Sequence, residues 1–108
     1  MILGVSYKKG IDDYRESPAV EIAKILIKKD FKVFFHDPYV SEIYGTEKNF
    51  FTKFKSIKIS PRILKSFDST IIVTDHDELN YDLIRKNSKV IFDSRNVYKK
   101  KFSNVISV

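Results

Sequence analysis

The chain has 108 residues, 43% hydrophobic and 31% charged, a balance that suits one folded domain and excludes a disordered segment. It has no cysteine and two histidines, His36 and His76, which excludes disulfides and thiolate metal sites and argues against structural zinc. Net charge is +6, compatible with an anionic partner or with a merely solvated basic surface.

No apolar run approaches the roughly 20 residues of a membrane helix, and no basic segment followed by an apolar core opens the chain. A cytoplasmic protein without membrane association is expected. Residues 2–6 read as a strand, and a chain that begins on what reads as a central strand points to a domain of a longer protein. The charged loop that follows hands over to a helix over 17–29, with Ser17 as N-cap and Pro18 at its first position. Val20, Ile22, Ala23, Ile25, Leu26 and Ile27 supply its apolar face. Lys32–His36 reads as a buried strand closed by Asp37-Pro38, completing a βαβ unit.

Residues 39–56 carry the weakest pattern. Gly45 marks a turn, and Phe50, Phe51 and Phe54 alternate with Lys48, Lys53 and Lys55. Such a stretch can stack bases, although aromatic anchors on the core are the better reading. Ile57–Ile59 reads as extended, and Ser60-Pro61 opens a short helix that turns Ile63, Leu64 and Phe67 inward. Thr70–Thr74 is a β-branched strand, followed by Asp75-His76-Asp77 and a helix over 78–86. Lys89–Phe92 is the next strand, running into Asp93-Ser94-Arg95, and Val105–Val108 reads as an edge strand.

The alternation predicts an α/β fold, a Rossmann-like three-layer sandwich with a mainly parallel sheet. Parallel strands end on the same side. The clusters Tyr7-Lys8-Lys9, His36-Asp37, Thr74-Asp75-His76 and Asp93-Ser94-Arg95 then share one edge, where ligands of open α/β sheets bind. The G-x-G-x-x-G cradle of a dinucleotide is absent, since the first strand–helix connection holds only Gly4 and Gly10, so this chain alone is not expected to bind NAD. Lys8 and Arg95 are instead placed to clamp a diphosphate. Asp12, Asp13, Arg15 and Glu16 read as a self-paired loop. His76 between two aspartates resembles an acid/base group, but no nucleophile is evidently paired with it, and a structural role is expected.

Four ordered blocks carry a resemblance to a known family. They are residues 4–19 (Gly-Val-Ser-Tyr-Lys-Lys-Gly-Ile-Asp-Asp-Tyr-Arg-Glu-Ser-Pro-Ala), 36–40 (His-Asp-Pro-Tyr-Val), 74–76 (Thr-Asp-His) and 92–97 (Phe-Asp-Ser-Arg-Asn-Val). Together they closely resemble the C-terminal, UDP-binding domain of the UDP-glucose/GDP-mannose dehydrogenase family, the first block most like its UDP-N-acetylglucosamine 6-dehydrogenase branch. The resemblance implies that residues 1–108 are the nucleotide-sugar-binding part of a longer homodimeric enzyme. Its other domains bind NAD and carry a catalytic cysteine, and the whole oxidises a sugar C6 hydroxyl to a carboxylate for polysaccharide precursors. It further implies that Tyr7, Lys8 and Arg95 contact UDP, that this piece holds no cofactor, and that it is not catalytic by itself. A basic module for single-stranded nucleic acid is the rival reading, and a receiver-like domain, lacking a lysine at the end of its last strand, ranks below it.

Overall fold

The computed structural model describes residues 1–44 and 54–108; Gly45, Lys48, Phe50, Phe51 and Lys53, singled out above, lie outside them. Two Ser-Pro steps start two of the three helices among the described residues. Helix α1 (Pro18–Lys28) is capped by Ser17, whose Oγ accepts from the Ala19 amide, and α2 (Pro61–Ser66) by Ser60, whose side chain accepts from the Ile63 amide. Helix α3 (Tyr81–Asn87) starts later than the sequence pattern indicates. Asn80 caps it by accepting from the Leu83 amide, so residues 78–80 stay outside the helix.

Strands β1 (Ile2–Leu3) and β2 (Phe35–His36) flank α1. A two-stranded antiparallel ribbon, β3 (Glu42–Ile43) with β4 (Phe54–Lys55), precedes α2. Strands β5 (Thr70–Ile72), β6 (Ile91–Asp93) and β7 (Val105–Ser107) complete the main sheet. Its order is β2-β1-β5-β6-β7, and every pairing in it is parallel. The chain moves outward from β1 to β2, then crosses back to β5 and continues the other way. The order therefore reverses between β1 and β5, the position where doubly wound sheets open a crevice.

Alternation along the strands divides the core into two layers. Leu3, Ile72 and Ile91 pack with Leu64, Leu79, Ile84 and Tyr98 under α2 and α3. Ile2, Phe35 and Val73 pack with Ala19, Ala23, Val40 and Ile43 under α1 and the ribbon. The small Ala19 and Ala23 form the buried seam of α1, while Ile25 projects outward with 54% of its surface exposed. That removes Ile25 from the apolar face expected for this helix, whose Val20 and Ile22 are partly buried against the core. Lys32–His36 is likewise not buried throughout: Phe35 is enclosed and Phe34 is 41% exposed.

The ribbon escaped the sequence reading because each strand has only two residues. Phe54 sits edge-on to Phe35 at 5.0 Å between centroids, so this aromatic anchors the ribbon to the core. No helix among the described residues is long and apolar enough to cross a membrane.

Candidate functional site

The carboxyl edge of the sheet gathers the ends of β1, β2, β5 and β6, as the parallel arrangement requires. Immediately after β1, Gly4 adopts φ +81°. A β-carbon there would lie 2.6 Å from Thr74 Cβ and still closer to its carbonyl oxygen. Glycine thus lets the chain leaving β1 cross the chain leaving β5 at contact distance. Thr74 then donates its Oγ1 hydrogen to the Ser6 carbonyl at 2.7 Å.

Beneath this crossing lies a buried polar cluster that ties three strand ends together. Asp37, which ends β2, accepts five hydrogen bonds. The Val5 and Ser6 amides and His76 Nε2 reach Oδ2 at 2.8, 3.2 and 2.8 Å, and the Tyr39 and Val40 amides reach Oδ1 at 2.7 and 3.0 Å. His76 is wholly enclosed. The Gly10 amide donates to its Nδ1 at 3.1 Å, so the proton available for Asp37 sits on Nε2. The same Nε2 lies 2.9 Å from Ser6 Oγ. Sequence reasoning found no hydroxyl partner for His76; the structure supplies Ser6, seventy positions away in the chain.

This Ser-His-Asp grouping is not a hydrolytic triad. Asp37 and Ser6 share one imidazole nitrogen instead of occupying opposite ones, and no side chain of the three is accessible. Tyr39 roofs the cluster, its ring tilted over His76 at 5.1 Å between centroids and its hydroxyl donating to Glu78. That bond holds the Glu78 carboxyl below its ordinary range and pushes the Tyr39 hydroxyl up.

Above the cluster stand the residues singled out for binding. Tyr7 is 58% exposed and Lys8 is exposed; the Lys8 ammonium has no partner among the described residues. Lys9 pairs with Asp77 at 3.6 Å. Asp93, buried at the end of β6, accepts the amides of Arg95, Val97 and Tyr98, which shapes the loop that lifts Arg95 to the surface. Arg95 gives its Nε to Asp75 at 3.3 Å, leaving its terminal nitrogens without a hydrogen-bond partner among the described residues. Lys9–Asp77 and Arg95–Asp75 thus lean on the β5 loop from either side. Lys8 and Arg95 follow strands separated by β5, whose axes lie roughly 10 Å apart, two strand spacings.

In the acidic loop before α1 the structure pairs Asp13 with Arg15, and gives Asp12 and Glu16 no ion pair among the described residues. Arg15 grips Asp13 with Nε and Nη2, both at 3.0 Å, and these bonds pull the Asp13 carboxyl down to about 2. His36 donates from Nδ1 to the Ile57 carbonyl at 2.7 Å and belongs to the frame. The space beside Gly4 is filled by Thr74, and Ser17 caps α1. A hollow of ≈ 1190 Å³ lies toward the opposite end of the sheet, lined by Phe31, Phe34, Phe67, Ile71 and Phe92 among others. It lies away from the polar edge.

The profile of the UDP-glucose/GDP-mannose dehydrogenase family, UDP binding domain, matches residues 1–100. The chain belongs to that family. Curated relatives include the UDP-N-acetyl-D-mannosamine dehydrogenase of Pyrococcus horikoshii, 33% identical over 91% of this chain and 22% of its own. The UDP-glucose 6-dehydrogenase of Rickettsia conorii is 38% identical over 89% of this chain and 23% of its own. Among solved structures, the Pyrococcus horikoshii UDP-D-ManNAc dehydrogenase superposes with a TM-score of 0.70 at 29% identity, over 98% of this chain and 23% of that one. The chain therefore spans under a quarter of the length of these dehydrogenases. A GDP-mannose 6-dehydrogenase from Pseudomonas aeruginosa is also 33% identical, so identity among family members singles out no sugar.

Proposed function

We propose that this domain holds the UDP group of a nucleotide sugar at its carboxyl edge, for a longer NAD-dependent 6-dehydrogenase of which residues 1–108 form the C-terminal part. What supports this most is the family match over residues 1–100. The edge it covers carries a lysine without an ion-pair partner, and an arginine whose terminal nitrogens have none, among the described residues. In this reading Lys8 supplies a point charge to the diphosphate, Arg95 adds its fork, and Tyr7 lies against the nucleoside.

The domain performs no oxidation by itself, since it has neither a cysteine nor a dinucleotide cradle. Its contribution is binding energy from the remote nucleotide, which orients the sugar for chemistry in the NAD-binding and central domains. A cytoplasmic homodimeric enzyme, as in the resemblance drawn above, is part of the same proposal.

An amide-resolved NMR titration of the 108-residue chain with UDP tests it, with NAD and a short single-stranded RNA as controls. UDP shifts clustered around Tyr7, Lys8 and Arg95, weakened by Lys8→Ala and by Arg95→Ala, are expected. Wild-type affinity in both variants, or shifts with RNA alone, would overturn the reading.

A further inference from the structure

We propose that Ser6 and His76 are positioning residues that aim Lys8, an inference that rests on the nucleotide-binding reading above. The Lys8 ammonium has no hydrogen-bond or ion-pair partner among the described residues, so the main chain is what fixes the point and direction from which its side chain leaves. That main chain is held at the lysine's own carbonyl and again two residues further on, by these two side chains. Ser6 Oγ donates to the Lys8 carbonyl at 2.9 Å, and His76 Nδ1 accepts the Gly10 amide at 3.1 Å.

The two anchors also hold each other, with His76 Nε2 2.9 Å from Ser6 Oγ. The donor and acceptor roles close consistently. Gly10 gives its hydrogen to Nδ1, which leaves the imidazole proton on Nε2, shared between Asp37 and Ser6. The Ser6 hydroxyl accepts there, and its own hydrogen goes to Lys8. Gly10 at φ +81° closes the turn, and the Tyr7 amide, donating to the Asp13 carbonyl at 2.6 Å, fixes the side facing α1.

Ser6 and His76 are both fully enclosed, so water cannot take the place of either anchor. Their bonds to residues 8 and 10 are not needed for the sheet ladder. They spend a buried hydroxyl and a buried imidazole on the orientation of one exposed loop. A charge aimed in advance loses less freedom when an anion arrives, and that gain appears only in binding.

A double-mutant cycle in UDP affinity tests this on the 108-residue chain, using wild type, Ser6→Ala, Lys8→Ala and the double variant. Lys8→Ala is expected to weaken UDP binding about tenfold, the scale of one charge-assisted hydrogen bond. Ser6→Ala is expected to weaken it roughly three- to tenfold, and the double variant to bind no worse than Lys8→Ala. A purely structural serine lowers the unfolding midpoint without this coupling.

Ser6→Ala binding like wild type, or single losses that multiply in the double variant, would overturn the proposal while leaving the UDP site standing. Wild-type affinity in Lys8→Ala would remove the nucleotide role of Lys8 and the proposal with it. If Ser6→Ala does not fold, Ser6→Cys, which keeps the shape and weakens both hydrogen bonds, enters the same cycle.

Discussion

Replacing Asp37 by Asn keeps the shape of the side chain and removes one acceptor from the centre of the buried cluster. The carboxylate takes three hydrogen bonds on Oδ2, from Val5, Ser6 and His76, and two on Oδ1, from Tyr39 and Val40. An amide has one acceptor oxygen. In its better orientation that oxygen keeps the three bonds, and the NH₂ group faces the Tyr39 and Val40 amides, donor against donor. In the other orientation three bonds are lost instead of two.

Hydrogen bonds to a charged group contribute about 1.5–3 kcal/mol each, so the better orientation costs about 3–6 kcal/mol. That is a large share of the roughly 5–15 kcal/mol that stabilises a domain. Urea unfolding followed by circular dichroism measures it. With a slope of about 1–3 kcal/mol per M, the midpoint should fall by about 2 M. A shift under about 0.5 M would refute the reasoning, because the five donors would then not depend on the negative charge.

Gly4→Ala should cost about 3 kcal/mol or more, from left-handed strain and from the collision with Thr74, and thermal unfolding measures the loss. Asp93→Ala unties the amides of Arg95, Val97 and Tyr98; it should weaken UDP binding toward the level of Arg95→Ala, read by the same titration. Burial raises the ionisation of Tyr81 and Tyr98 well above the ordinary value of 10.0. The unfolded chain therefore releases these protons first, so their contribution to stability is intact below pH 10 and falls as pH rises beyond it. Absorbance at alkaline pH should show two tyrosines that ionise only as the chain unfolds, and their titration with the other tyrosines would contradict the burial argument.

The local part of this structure is written in short stretches of sequence. Ser17-Pro18 and Ser60-Pro61 start two helices because a cap needs only a hydroxyl and a residue without an amide hydrogen. The polar strand ends share one edge because β-α-β connections force parallel strands. Lys8 and Arg95 therefore arrive at the same rim whatever the details of packing.

Pairing was not legible in the same way. Nothing near position 76 announces Ser6, and nothing near 95 announces Asp75, since each contact depends on which strands lie side by side and on how far each loop rises. The β3–β4 ribbon and the outward turn of Ile25 have the same origin: two-residue strands carry no period, and a helix of mixed apolar residues can bury either flank. Sequence by itself determined the caps of α1 and α2, the polarity of the strands and the residue types at the rim, because these depend on neighbours in the chain. Only the tertiary structure decided which buried groups hold the rim in place, because a hydrogen bond between distant residues exists only once the sheet has chosen its register.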